Sequence, residues 1–283
     1  MSVEELVKQG DLAGAFEAAK NAVRAAPTEA APRTLLFQIL CVMGDWERAS
    51  THLALAAEYD AMAVPMQQVY STALNAETYR ELVFKGEKAP LILGEPPEWA
   101  GPLLEAARLT AVGEHAAAAK QREAALEQAE TTSGKAMGSD GSSPEPVTTE
   151  FEWIADADSR FGPTLEAIVN GKYYWVPFSR IKSVNIDAPE DLRDLVWAPA
   201  QFTWSNGGEA VGLIPVRYPG TTASDKDDAK LSRLTEWNDA GEETWLGLGQ
   251  RVYATDAADL SILQTRRFEF DVEITADAPE GGE

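Results

Sequence analysis

The spacing of hydrophobic residues changes once along the chain, and each spacing predicts a different secondary structure. Before residue 130, apolar side chains recur every three or four positions, as at Leu12, Phe16 and Ala19. That spacing places them on one face of an α-helix, and its extent predicts about seven helices. After residue 150, short runs of β-branched and aromatic residues are separated by Gly, Pro and Asn, which is typical of strands joined by turns.

The helical part contains an internal repeat. Residues 10–15 and 44–49 share the pattern Gly-Asp-x-x-x-Ala and lie 34 residues apart, and a third turn begins at Gly113. A period of 34 residues is typical of tetratricopeptide (TPR) arrays, in which stacked helix pairs bury each other's apolar faces. The copies agree at the turn more than elsewhere, so the sequence predicts a short and degenerate array.

Stacked helix pairs of this kind form a concave face that suits a partner helix or an extended peptide. Apolar residues at helical spacing are the candidates for its lining, although the same spacing also fits residues of the core. The predicted lining residues are Leu36, Phe37, Leu40, Met66, Tyr70 and Trp99.

The second half is organised around the dipeptide Asn170-Gly171, which separates two strand-like arms at 165–169 and 172–176. Asn and Gly readily adopt positive φ, as a two-residue type I′ turn requires, so this stretch predicts a tight β-hairpin. A second hairpin is predicted around Asn206-Gly207-Gly208 for the same reason.

Upstream of the first hairpin lies a polar stretch that contains Asp156, Asp158 and Arg160. Paired carboxylates could hold a metal ion or perform acid–base chemistry, and Asn206 and Arg217 could complete such a pocket. The alternative is that these side chains cap strands and turns by hydrogen bonding to nearby backbone groups. No third ligand follows at a recognisable spacing, which favours the second interpretation.

These patterns predict an α+β protein: an N-terminal α-helical TPR-like repeat domain followed by a β-rich C-terminal domain built as an antiparallel barrel or sandwich. The predicted boundaries are 1–130 for the helical domain and 150–274 for the β-rich domain. Residues 131–149 are rich in Gly, Ser and Pro, which predicts a flexible linker, and the acidic residues 275–283 predict a disordered tail.

Charge and composition narrow the choice of partners. The net charge of −22 repels phosphate groups and anionic lipids, so nucleic acid and membrane are poor candidates. A basic peptide or protein surface is a better candidate, with solubility alone as the alternative explanation of the charge. One cysteine, Cys41, and two histidines leave little for a zinc site, and no cofactor motif is present. The N-terminus has acids where a signal peptide would carry basic residues, which predicts a cytoplasmic protein.

Several motifs together resemble a known family, and they extend over nearly the whole chain. The short motifs are Leu36-Phe37-Gln38 with Cys41, Gly94-Glu95-Pro96 and Asn206-Gly207-Gly208, and the longer runs are residues 44–49, 151–160, 170–178, 199–204 and 244–250. This combination resembles the ImpE/TagJ accessory proteins of bacterial type VI secretion systems. The run from residue 151 to residue 178 is the most specific part of the resemblance.

The resemblance implies a non-enzymatic cytoplasmic component associated with the contractile sheath of the secretion system. It implies binding to the N-terminal helix of the small sheath subunit, TssB, and a link to the ClpV ATPase, which disassembles contracted TssB–TssC sheaths. Two alternatives remain open at this point. One is a metal-dependent hydrolase that uses Asp156, Asp158 and Arg217, and the other is a scaffold that associates with itself through the helical array.

Overall fold

The first 128 residues of the computed structural model form seven helices, as the hydrophobic spacing predicts. The structure describes residues 1–139 and 145–275. The helices are α1 (Val3–Lys8), α2 (Leu12–Ala25), α3 (Ala30–Met43), α4 (Trp46–Tyr59), α5 (Val64–Phe84), α6 (Ala100–Ala111) and α7 (His115–Gln128). Helix α8 (Asp227–Lys230), which is short, lies in the second half of the chain.

The repeated Gly-Asp pairs lie at the turns between helices. Gly44 ends α3 with a φ of 80°, a conformation that glycine adopts without steric cost. Asp11 and Asp45 then cap the next helices, since their carboxylates accept hydrogen bonds from the backbone N–H groups of Gly14 and Arg48 at 2.7 and 3.1 Å. The repeat therefore encodes where each helix ends and the next begins.

In the part of the second half that the structure describes, the strands form three open sheets, two antiparallel and one mixed. Its strands, with β1 contributed by the first half, are β1 (Leu91–Ile92), β2 (Gly134–Gly138), β3 (Val147–Phe151), β4 (Ile154–Asp156), β5 (Thr164–Val169), β6 (Lys172–Pro177), β7 (Ile181–Ile186), β8 (Trp197–Trp204), β9 (Glu209–Pro215), β10 (Thr235–Asp239), β11 (Trp245–Gly249), β12 (Val252–Thr255), β13 (Asp259–Ser261) and β14 (Thr265–Phe270). The largest sheet has the order β1-β6-β5-β9-β8-β7-β14-β2-β3, and the smaller ones are β13-β12-β4 and β10-β11.

The α+β class is confirmed, and the sheet architecture is more open than a barrel. In the described residues, the large sheet ends at β1 on one side and at β3 on the other, so its strands do not close on themselves. Both predicted hairpins are present. Val169 pairs with Lys172 across Asn170-Gly171, and Thr203 pairs with Glu209 across the second turn.

The prediction of a flexible linker over 131–149 is wrong for most of the residues that the structure describes there. Strand β2 pairs with β14 and β3, and Ala136 is buried in the core. A Cβ atom added to Gly134 would lie 2.3 Å from the Glu269 carbonyl oxygen, so the glycine permits close approach of two strands. Residues 140–144 of this stretch lie outside the described residues.

The predicted tail begins at Thr275, whose backbone N–H donates a hydrogen bond to the Ser205 carbonyl at 2.9 Å. The prediction of disorder over the rest of the tail, residues 276–283, lies outside the described residues.

The helical and sheet halves share one apolar core cluster. Tyr70 of α5 packs against Trp197 of β8 with ring centroids 5.9 Å apart, and Phe84 packs against Trp175 of β6 at 6.1 Å. Cys41 of α3 is fully buried in the same cluster. The two halves therefore meet through apolar side chains, and the sheet half covers one side of the helical array.

Candidate protein-binding site

Most of the polar residues singled out in the sequence lie near the region where the two halves meet. Strand β5 lies between β6 and β9 in the large sheet, and all six of its residues are buried, including Glu166. Arg251 reaches Glu166 and Asp156 at the same time and pairs with both carboxylates. From the helical side, Arg80 of α5 donates two hydrogen bonds to Glu166, at 2.7 and 2.8 Å.

The carboxylate of Asp158 is also ion paired and hydrogen bonded. It accepts two hydrogen bonds from the Arg160 guanidinium, at 2.8 and 2.5 Å, and one from the backbone N–H of Gly247 at 2.7 Å. The backbone N–H groups of Asp158 and Arg160 donate to the aspartate two positions earlier in each case, at 2.9 Å. These two aspartates therefore form turns and ion pairs, which agrees with the capping interpretation of the sequence.

Arg217 takes part from the other side of the interface. Its guanidinium donates to the carbonyl oxygens of Val42, Cys41 and Lys230 at 2.6, 3.0 and 2.8 Å, so it caps the C-terminal end of α3. Its own carbonyl accepts a hydrogen bond from Arg80 at 2.8 Å. Burial lowers the pKa of Arg217 from 12.5 to about 10, which leaves the guanidinium charged at neutral pH.

We call this cluster the polar junction. It consists of Glu77, Arg80, Asp156, Asp158, Arg160, Glu166, Arg217 and Arg251. Burial is also the main influence on Asp156, whose pKa is raised from 3.8 to about 6 against the opposing effect of Arg251. A cavity of about 310 Å³ adjoins the junction, but the guanidinium groups that line it already bind protein carbonyls or carboxylates.

The residues proposed for an alternative hydrolase site do not form one pocket. Asn206 lies in the second hairpin turn, where its side-chain oxygen accepts a hydrogen bond from the Gly208 N–H at 2.9 Å. Arg217 faces α3, whereas Asp156 and Asp158 pair with Arg251 and Arg160. Within residues 1–139 and 145–275, no group of three or more His, Cys, Asp or Glu side chains is arranged to hold a metal ion.

Five of the six residues predicted to line a binding face lie in the core instead. Leu36, Phe37, Leu40, Tyr70 and Trp99 are each less than 9% exposed. Helix α3 is buried on all sides from Leu36 to Val42, because α2, α4 and the sheet half surround it. Met66 differs from these five, since it is only half-buried and borders an open surface.

That open surface is a depression of about 1050 Å³ on the helical array, which we call the groove. It is bounded by α1, by α2, by the first turns of α3, by residues 60–66 and by residues 189–195. Apolar groups dominate its lining, and representative ones are Val7, Ala22, Ala31, Leu35, Met62 and Leu192. Met62 is 85% exposed, although it is a large apolar side chain.

Sequence periodicity misses the groove for a physical reason. Met62 lies in a short 3-10 turn between α4 and α5, and therefore belongs to no helical stripe. Residues 189–195 belong to the sheet half and reach the groove only through tertiary packing. The sequence feature that could have indicated the groove is Met62, which lies between Asp60 and Pro65, two residues typical of turns and helix starts.

The segment 189–195, which we call the lip, is attached to the helical array at defined points. The side-chain oxygen of Gln38 accepts a hydrogen bond from the backbone N–H of Leu192 at 3.0 Å. Arg193 lies 4.9 Å above the ring of Tyr70, and its guanidinium also contacts the sulfur of Met66 at 2.9 Å. The groove therefore has one wall from each half of the chain.

Comparison with known proteins gives the two halves different family matches. Residues 148–269 match the model of the family described as ImpE protein, and residues 6–69 match a tetratricopeptide repeat model. The chain is 45% identical over 271 residues to a Pseudomonas aeruginosa protein named type VI secretion system accessory component TagJ. That alignment covers 96% of this chain and 92% of the relative.

A crystal structure of a Vibrio parahaemolyticus protein has the same fold. It superposes with a TM-score of 0.82 at 24% sequence identity and covers 96% of this chain and 98% of the other. In the described parts of the chain, no helix combines the length and the hydrophobicity that crossing a membrane requires.

Proposed function

The chain belongs to the ImpE/TagJ family of type VI secretion system accessory components, and we propose that it acts there as a non-catalytic adaptor. Its proposed ligand is the N-terminal helix of the small sheath subunit, TssB. The groove is the observation that carries this proposal, because it presents a concave, largely apolar surface on the helical array.

An amphipathic helix suits this groove. Such a helix buries apolar side chains spaced at i, i+3 or i+4, and i+7 against a hydrophobic surface. Exposed Met62 and half-buried Leu35 and Met66 supply adaptable apolar contacts along the groove. The polar junction supports the non-catalytic part of the proposal, since its charged groups are occupied with one another and with the backbone.

Binding to TssB would also determine where in the secretion system the protein acts. We propose that the protein acts in the cytoplasm, bound to TssB alone or in the TssB–TssC sheath. Binding there would put the adaptor beside the ClpV ATPase, which disassembles contracted sheaths. The exposed acidic surface of the chain is suited to a protein partner rather than to nucleic acid or lipid.

The experiment is a calorimetric titration of the full chain with a peptide that comprises the N-terminal helix of the small sheath subunit. The test variant is Ala31→Tyr, which puts a bulky ring into the groove from an exposed position on α3. The control is Ala54→Tyr, at an exposed position of α4 outside the groove. We expect Ala31→Tyr to weaken binding at least about tenfold, because filling the groove removes most apolar contacts with the peptide.

The control variant should bind like the wild-type protein. Equal affinities for all three proteins would remove the groove as the site, and no binding by the wild-type protein would remove the proposed ligand. Circular dichroism of each variant verifies that the helical content is unchanged.

A further inference from the structure

We infer that the groove selects a helix with Lys or Arg residues along both sides of its apolar stripe, and that the lip supplies part of this selectivity. The inference rests on the proposed function and specifies the chemistry of the partner. It starts from the charges at the rim of the groove.

The rim is acidic. Glu4, Glu29, Asp60 and Glu190 are exposed at the edges of the groove, and Lys8 is the basic side chain among its described lining residues. In residues 1–139 and 145–275, none of these four carboxylates lies within 4.0 Å of a basic side chain. An apolar floor therefore lies between exposed carboxylates. Among them, Glu4 lies one helical turn from Lys8, and Asp60 also accepts a hydrogen bond from the backbone N–H of Met62 at 2.9 Å.

The lip holds its share of these charges in a fixed position. The carboxylate of Asp194 accepts hydrogen bonds from the backbone N–H groups of Glu190 and Asp191, both at 2.9 Å. Gln38 binds the next residue, Leu192, from the helical side. Because the backbone N–H groups of Glu190 and of the two residues after it are hydrogen bonded, the backbone that carries the Glu190 side chain is held at the mouth of the groove, and binding does not have to order this loop.

The arrangement favours cationic flanks over neutral ones for two reasons. Opposite charges at a rim accelerate association and orient the ligand, whereas like charges oppose it. In addition, a helix seated on the apolar floor shields the rim partly from water, which strengthens each charge pair. Because the rim charges remain accessible to salt, the effect should weaken as ionic strength rises.

The test uses three labelled peptides with one common apolar stripe. They are amphipathic helices of about 18 residues whose flanking positions are all Lys, all Gln or all Glu. Fluorescence anisotropy with the full chain measures each affinity at about 50 mM and about 500 mM NaCl, where screening differs strongly. We expect the Lys peptide to bind most tightly and to lose about tenfold in affinity at the higher salt, while the Gln peptide changes little.

Two triple variants test whether the rim carboxylates cause the preference for the Lys peptide. The test variant carries Glu4→Gln, Glu29→Gln and Glu190→Gln, all at exposed rim positions. The control carries Glu87→Gln, Glu98→Gln and Glu127→Gln, which removes three exposed charges outside the groove. We expect the first variant to lose about tenfold in affinity for the Lys peptide and the second to lose less than about twofold.

The outcomes separate this inference from the proposed function. Equal binding of the Lys and Gln peptides to the wild-type protein would overturn the selectivity and leave the groove as the site. Equal losses in both triple variants would assign the effect to the overall charge and would overturn the role of the rim. If none of the three peptides binds at either salt concentration, both the inference and the groove proposal fail.

Discussion

The polar junction and the groove both lie between the two halves of the chain, but they use charge in opposite ways. The junction brings four guanidinium groups and four carboxylates together in the interior, where each is paired or hydrogen bonded. The groove instead presents exposed carboxylates at its rim and exposes Met62 to solvent. The polar residues that are conspicuous in the sequence are used within the structure, Asp156 and Asp158 in ion pairs of the sheet half and Arg217 in binding the end of α3. The surface open to a partner lies in the groove instead.

The junction and the groove also differ in how much their charged residues contribute to the stability of the fold. A charge buried without its partner is costly, so every member of the junction depends on the others. An exposed rim residue contributes little to folding, because water solvates it equally well in the unfolded chain. Substitutions in the junction should therefore affect stability, and substitutions in the groove should affect binding.

The largest effect is expected for Arg251→Met. The substitution leaves the carboxylates of Asp156 and Glu166 buried without the cation that contacts both. We expect the free energy of unfolding to fall by about 3–5 kcal/mol, the usual cost of removing one member of a buried ion pair. Urea denaturation followed by tryptophan fluorescence measures the change.

Arg108→Met serves as the control for this variant. Arg108 pairs with Glu105 on the exposed surface of α6, and its removal should change the unfolding curve only slightly. A fall of less than about 1 kcal/mol for Arg251→Met would contradict the view that the buried charges of the junction depend on one another.

A smaller effect is expected in the pH dependence of stability. Burial raises the pKa of Asp156 from 3.8 to about 6, so the native state binds this proton more tightly than the unfolded chain does. The resulting stabilisation is complete below pH 3.8 and is lost as the pH rises through about 6. The stability of the wild-type protein relative to Asp156→Asn should therefore decrease by about 1–3 kcal/mol between about pH 4 and pH 7.

Urea denaturation of both proteins across this pH range measures the difference. Buffers matched for ionic strength keep the screening of other charges constant. Parallel stability profiles for the two proteins would show that Asp156 titrates alike in the folded and unfolded states.

The smallest effect on stability is expected for Met62→Ser in the groove. Because Met62 is 85% exposed, its removal should change the free energy of unfolding by no more than about 0.5 kcal/mol. The affinity for the sheath-subunit helix should nevertheless fall at least about fivefold, because an apolar contact of the groove is lost. Calorimetric titration and urea denaturation of the same preparation measure the two quantities.

Val112→Ser is the matched control, since Val112 is also an exposed apolar residue but lies at the end of α6. It should change neither quantity appreciably. If Met62→Ser lowered the free energy of unfolding as well as the affinity, the residues of the groove would be needed for folding as well as for binding, contrary to this prediction.

Local sequence signals predict the parts of the fold that local interactions determine. Asn170-Gly171 places a two-residue turn because both residues adopt positive φ, 49° and 71°. Gly44 and Asp45 end one helix and cap the next within two positions. Each of these features depends on residues a few positions apart, so a single sequence suffices to find them.

Features that depend on distant residues escape such signals. Strand β2 is rich in glycine and therefore resembles a linker in composition. It forms a strand because it pairs with β14, about 130 residues later in the chain. Glu166 looks like an ordinary polar strand position until Arg80 and Arg251 are brought to it from 86 and 85 residues away. Likewise, the predicted lining residues of α3 follow helical spacing, but the sheet half covers the face they share.

The single cysteine of the chain lies where the two halves meet, and this has a practical consequence. Cys41 is fully buried, burial raises the pKa of its thiol, and Arg217 of the sheet half binds its carbonyl at 3.0 Å. A thiol reagent reaches this sulfur only when the packing around α3 opens. The labelling rate of the native protein therefore measures how often that packing opens, and comparing the rate with and without a bound helix shows whether the ligand stabilises the closed state.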